Sequence, residues 1–99
     1  MTAYRFTEKA AEDLIGVWVY TDDTWGEKQA DRYQEEIHSC CEQAANGAAG
    51  VRPVPRMSGI SSFHCGHHYL FFVREGATTI IIAVFHERMD LMVRLRNRL

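Results

Sequence analysis

The chain has 99 residues, 46% of them apolar and 24% charged, with a formal net charge of −2. That length supports one domain with one core, burying roughly 60 to 70% of the surface an unfolded chain exposes. No apolar run nears the ~18 residues of a membrane span, and residues 1–9 lack a basic-then-apolar leader, so a soluble cytoplasmic protein is expected.

The charge is uneven. Residues 1–50 carry 4 Lys and Arg against 10 Asp and Glu, and residues 51–99 carry 7 against 3, which gives −6 and +4. Cys40, Cys41 and Cys65 are odd in number and two are adjacent, a poor disulfide framework, so they are expected to be reduced.

Tyr4-Arg5-Phe6 alternates as a short strand does, and Thr7 is placed to cap a helix by accepting from a first-turn amide. The helix is predicted to run to about Tyr20 on a core stripe of Ala11, Leu14, Ile15 and Trp18 at spacings i, i+3, i+4, i+7. Val17 and Val19 widen its apolar arc to about 200°, past the ~100° that seats a helix on one core. Part of the helix is therefore available to a partner. Thr21-Asp22-Asp23 is expected to break it, and Thr24-Trp25-Gly26-Glu27 to open a second helix with a capping box.

In the second helix Ala30, Tyr33, Ile37, Cys40, Cys41 and Ala44 keep the helical period, while Asp31, Glu35, Glu36 and Glu42 take the outer face. Asn46-Gly47 should end it, and so short a turn makes the two helices an antiparallel hairpin. Residues 47–59 hold both prolines and read as an extended loop. Ile60 to Cys65, His68 to Val73 and Thr78 to Phe85 read as three strands with turns at Gly66 and Glu75-Gly76. The unbroken apolar run Ile80 to Phe85 marks the last as the central, buried strand. Leu91, Met92 and Leu95 then fall at helical spacing among Arg94, Arg96 and Arg98, as in a short basic amphipathic helix.

Four of the five histidines, His64, His67, His68 and His86, fall in the sheet half. Cys65-Gly66-His67-His68 matches no zinc pattern, and neighbours on a strand point to opposite faces. They are read as strand and turn residues, with no metal and no cofactor expected. His86 differs, because it leaves the buried strand beside Glu87, Arg88 and Asp90. Two readings stay open. It is a general acid for RNA cleavage, with arginines steadying the phosphate; or it bonds to Asp90 and fixes the strand-to-helix junction. The basic tail suits an acidic partner, and its lack of interleaved aromatics in a slightly acidic chain argues against direct nucleic-acid binding.

Ala10-Ala11-Glu12-Asp13-Leu14, Tyr20, Trp25-Gly26, Gln29-Ala30, Tyr33 and Val84-Phe85-His86-Glu87-Arg88-Met89-Asp90 together resemble the ParE toxins of the RelE/ParE superfamily. The resemblance spans the chain and implies one toxin domain over residues 1–99. Its expected fold is α+β, with an N-terminal helical hairpin on a curved, mainly antiparallel four-stranded sheet (β-α-α-β-β-β) and a short C-terminal helix.

The resemblance also implies a type II toxin–antitoxin module whose toxin binds and poisons DNA gyrase, without catalysis, and is neutralised by a ParD-like antitoxin in a hetero-oligomer. Gyrase contacts are then expected at Arg88, Met89, Arg94, Arg96 and Arg98, and antitoxin contacts at Val17, Tyr20, Trp25 and Arg74. The RelE branch instead cleaves messenger RNA on the ribosome, usually with an arginine on the strand after the loop. Ser61 stands where many relatives of both branches carry that arginine, so the chain departs from the common ParE pattern as well and lacks a phosphate stabiliser whose loss costs a nuclease ~10² or more in rate. The alternatives are a ribonuclease using His86, a relative that only binds its antitoxin, and an interaction module unrelated to toxicity.

Overall fold

The computed structural model describes residues 3–99, so the first two residues of the stretch read for a leader lie outside it. Strand β1 (Ala3–Phe6) leads into helices α1 (Glu8–Trp25) and α2 (Glu27–Ala45), followed by β2 (Arg52–Pro53), β3 (Ser61–Cys65), β4 (His68–Glu75), β5 (Thr78–His86) and α3 (Leu91–Arg98). The sheet order is β1-β5-β4-β3-β2, with β1 parallel to β5 and the other pairs antiparallel. The expected α+β architecture stands, with one correction: the proline-bearing loop adds a fifth, two-residue strand by pairing Arg52 and Pro53 with Ser62 and Ser61.

Thr7 caps α1 as expected, its hydroxyl accepting from the Ala10 amide at 3.1 Å. The expected break at Thr21-Asp22-Asp23 does not occur. Thr21 donates its hydroxyl to the Val17 carbonyl at 2.7 Å and Thr24 donates to that of Tyr20 at 2.8 Å, so both are satisfied within the helix. Thr24 therefore caps nothing. The joint is Gly26 alone, at φ 96°, whose amide closes α1 on Asp22 and whose carbonyl accepts from Ala30 to start α2. Gln34 reaches the Leu14 carbonyl and Trp18 reaches Asp31, so the helices are antiparallel.

The face of α1 that meets the sheet also differs from the expected stripe. Ala10, Leu14 and Thr21 are buried, with Val17 packed against the same core, whereas Ile15 is 65% exposed. The wide apolar arc offered two faces. The sheet takes the one with small Ala10 and keeps Leu14 from the expected stripe, while Ala11, Ile15 and Trp18 line, with the edge of Leu14 and with Gln34, a groove along the hairpin. The stripe of α2 is as read: Ala30, Tyr33, Ile37, Cys41 and Ala44 are buried and Cys40 is half-buried.

Two cores, where the length suggested one, flank the sheet, because the sheet itself divides the interior. The hairpin packs on Phe63, Cys65, Leu70, Phe72, Ile81 and Val84, while Val54, Ile60 and α3's Leu95 pack on Phe71, Ala83 and Phe85. Buried on both faces, β5 has no need to alternate, which explains its unbroken apolar run. The cysteines correct a further expectation, because Cys40 and Cys65 form a disulfide and only Cys41 is free. Cys40 on α2 meets the last residue of β3 on the helix-facing side, with Cα atoms 6.1 Å apart. Sequence spacing could not disclose that proximity.

Strand β1 covers β5 only as far as Phe6 opposite Ile81. Beyond it the edge of β5 is completed by side chains. Asp13 Oδ2 accepts from the Val84 amide at 3.0 Å, and Arg98 Nη1 donates to the Ile82 carbonyl at 2.9 Å. Arg98 also grips Asp13 with two bonds of 2.9 and 3.0 Å and lies over the Phe85 ring. Asp13→Ala should cost about 2–4 kcal/mol, by stranding Arg98 and the Val84 amide together. Asp13→Asn should cost less, since it keeps an acceptor. Urea unfolding of both variants measures the difference.

Candidate functional site

Three regions carry the residues singled out from sequence. At one end of the sheet, the row Cys65, His68, His86 crosses β3, β4 and β5 on the helix-facing side. Tyr33 of α2 binds this end. Its hydroxyl lies 2.6 Å from His68 Nδ1 and accepts from the His67 amide at 3.1 Å. Gly66, at φ +59°, makes the approach possible, because a Cβ there would stand 2.9 Å from the Tyr33 hydroxyl.

His86 is half-buried, edge-on to His68 with ring centres 5.1 Å apart. Its Nδ1 accepts from the Arg88 amide at 3.1 Å, so the neutral ring carries its proton on Nε2. The expected His86–Asp90 bond does not form. Asp90 instead caps α3, accepting from the Val93 amide at 3.3 Å. The partner of the cluster is Glu87, which spans His64 Nε2 and His67 Nδ1 at 3.1 Å each. Those two bonds, His67's first, hold the Glu87 carboxyl below the ordinary carboxylate range. Among the described residues no group of three or more His, Cys, Asp or Glu side chains is arranged to hold a metal ion.

A nuclease reading needs arginine near His86, and the strand after the loop does not offer it; the arginine close by is Arg88, which meets the ring through its backbone amide. Ser61 starts β3, four residues before the Cys65 row, roughly 13 Å along the strand. Arg74 is farther, at the opposite end of β4, where it bonds the Ala44 and Ala45 carbonyls and Thr79. It thereby closes the C-terminal end of α2.

The second region is the tail. Arg88, Arg94 and Arg96 are exposed and Met89 is 40% exposed, whereas Arg98 is the anchor on Asp13. The third is the hairpin surface. Tyr20 and Trp25 are 67% and 71% exposed, with Ile15 and Val19 adding to the apolar face, while Val17 turns toward the core. Of the expected antitoxin contacts, Tyr20 and Trp25 are therefore free on the surface, Val17 packs toward the core, and Arg74 is exposed while its guanidinium bonds the end of α2.

Residues 4–91 match the family model described as the ParE toxin of type II toxin–antitoxin systems, parDE. The chain belongs to the ParE toxin family. It is 40% identical to Toxin ParE of Escherichia coli, over all of this chain and 98% of that one. It is 30% identical to Toxin ParE1 of Caulobacter vibrioides, over 96% of this chain and 99% of that one. In structure it resembles a chain of the chromosomal ParDE system of P. aeruginosa, with TM-score 0.73, 22% identity and coverage of 87% and 96%. The toxin–antitoxin complex RelBE2 of Mycobacterium tuberculosis contains a similar fold, with TM-score 0.62, 20% identity and coverage of 86% and 96%. No helix among the described residues is long and apolar enough to cross a membrane.

Sequence reading missed Tyr33 and Glu87 as the residues that bind the histidine end together. The available signal was a tyrosine on the buried stripe of α2 with a Gly-His-His turn elsewhere. Burial, with His86 and His67 beside it, pushes His68 down from 6.5 to about 4. An unfolded His68 takes up a proton below 6.5 that the folded ring refuses until about 4, so stability falls as pH drops through that window. The loss should be on the order of 1–2 kcal/mol, allowing for screening of a partly exposed ring. Urea midpoints between pH 7 and pH 5 test this, and His68→Gln should flatten that part of the profile.

Proposed function

We propose that this ParE-family chain is a toxin that binds and poisons DNA gyrase without catalysis, and that a ParD-like antitoxin neutralises it in a hetero-oligomer. The observation that carries the reading is the tail. Arg88, Arg94 and Arg96 project from a segment held to the body by Leu95 and by the Arg98–Asp13 pair, as an adhesive surface requires. A rigid basic surface suits a protein partner, and Met89 beside it adds apolar contact.

The antitoxin belongs on the other charged half. The hairpin groove along Ala11, Leu14, Ile15 and Trp18, with Tyr20 and Trp25 nearby, is the apolar surface open to a folding segment. The toxin–antitoxin systems named for the structural relatives support a partner of this kind. Against a ribonuclease stands His86, on the helix-facing side and edge-on to His68; its hydrogen bond from Arg88 comes from the backbone amide and not from the guanidinium.

Removal of residues from Arg94 onward would take away Leu95, which is fully buried, and Arg98, so truncation would damage the fold along with the tail. Charge reversal is the cleaner experiment. Arg88→Glu combined with Arg94→Glu and Arg96→Glu should weaken inhibition of purified gyrase by about tenfold or more, on the scale of a lost electrostatic contact, and leave antitoxin affinity within a few-fold. Tyr20→Ala with Trp25→Ala should reverse the pattern, weakening antitoxin binding by about 30-fold. Unchanged supercoiling and no trapped cleavage complex with excess wild-type toxin would sink the gyrase reading. Messenger cleavage abolished by His86→Ala would establish the ribonuclease in its place.

A further inference from the structure

The cysteines differ sharply in access. Cys41 is fully buried, and burial, with Glu42 nearby, pushes its thiol up to about 12. It is no nucleophile and does not compete for its neighbour's bond. Cys65 is 2% exposed. Cys40, half-buried on α2, is the more exposed residue of the pair, so the exchange is assigned to its sulfur. The bond also joins strategic places, because it ties the C-terminal half of α2 to the end of β3, one residue before the turn that Tyr33 grips.

We propose that Cys40 is a thiol–disulfide exchange site, through which a dithiol opens the Cys40–Cys65 bond and glutathione disulfide closes it. In opening, a thiolate of the dithiol attacks Cys40 Sγ, the sulfur–sulfur bond breaks, and Cys65 leaves as a thiolate that takes up a proton. The Glu36 carbonyl, 3.8 Å from Cys65 Sγ, is placed to accept from the new thiol. The dithiol's second thiolate then attacks the mixed disulfide and releases Cys40. Two electrons and two protons pass from the dithiol to the protein. Closing runs the same exchange in reverse, reducing glutathione disulfide to two glutathione thiols.

The open form keeps its fold, because Tyr33, the Arg74 cap and the apolar core still seat α2 on the sheet. It loses the covalent tie across 25 residues of chain, so it samples unfolded and cleavable states more often. An oxidising environment thus lengthens the life of the free chain. This inference does not depend on the identity of the toxin's target.

The test is a glutathione titration of the purified full chain, with thiols alkylated after denaturation and counted by mass. Closed protein takes one label, on Cys41, and open protein takes three. A reversible passage between one and three labels is expected, without loss of native circular dichroism. The closed form should melt on the order of 10 °C higher and resist protease about tenfold or more longer. In Cys40→Ser the melting temperature and protease half-life should match the open form in either buffer. The proposal is overturned if wild type keeps one label until it unfolds, or keeps three labels in glutathione disulfide. It is overturned equally if peptide mapping finds Cys41 in the bond. The wild-type titration decides even if Cys40→Ser does not fold.

Discussion

The edge of β5 poses the problem around which the chain is built. A strand buried on both faces cannot leave amides and carbonyls unpaired, and β1 stops at Ile81, short of the strand's end. Asp13 and Arg98 finish the ladder with side chains, one accepting from Val84 and the other donating to Ile82. Neither would do so well alone. A carboxylate facing this edge needs a cation, and the guanidinium both neutralises it and supplies the second hydrogen bond. The same pair joins the first helix to the last, so sheet completion and the direction of the basic tail are one piece of chemistry.

The opposite face of the design is the histidine end. Tyr33 reaches from α2 across the Gly66 turn, and Glu87, just past β5, reaches back to His64 and His67. Three strands and a helix are thereby bound at one polar site. Several of its donors and acceptors bind one another: Nδ1 of His68 meets Tyr33, and Nδ1 of His86 meets the Arg88 amide. In this arrangement the polar groups specify how the hairpin sits on the sheet, which an apolar contact of equal area would do less sharply.

Much of this was legible in the residues. β3, β4 and β5 fall within about two residues of their expected bounds, because Gly66 and Gly76 mark turns whose positive φ few other residues adopt. The stripe of α2 was legible because its acidic residues crowd one side. The stripe of α1 was not. When apolar residues cover half a helix, periodicity finds the arc but cannot choose the face, and that choice belongs to the sheet. Thr24 misled because a threonine hydroxyl is as well served by the carbonyl four residues back as by a cap. The Cys40–Cys65 bond and the Arg98–Asp13 pair were invisible for a shared reason: each joins residues far apart in sequence through a fold not yet in hand. The family signature was readable as a pattern, but which of its residues stay on the surface was not: Tyr20, Trp25, Arg88 and Met89 are exposed, whereas Ala10, Leu14 and Tyr33 are buried.

The single-glycine joint at Gly26 constrains how such a surface can change over time. With one residue between the helices, the crossings Leu14–Gln34 and Trp18–Asp31 set their relative position along the hairpin. An inserted or deleted residue would slide one helix against the other and misplace Tyr33 over the Gly66 turn as well. A lineage seeking a new partner therefore has substitutions available on the outer faces and almost no freedom of length at the tip. Diversification here would proceed by changing the letters on a fixed frame.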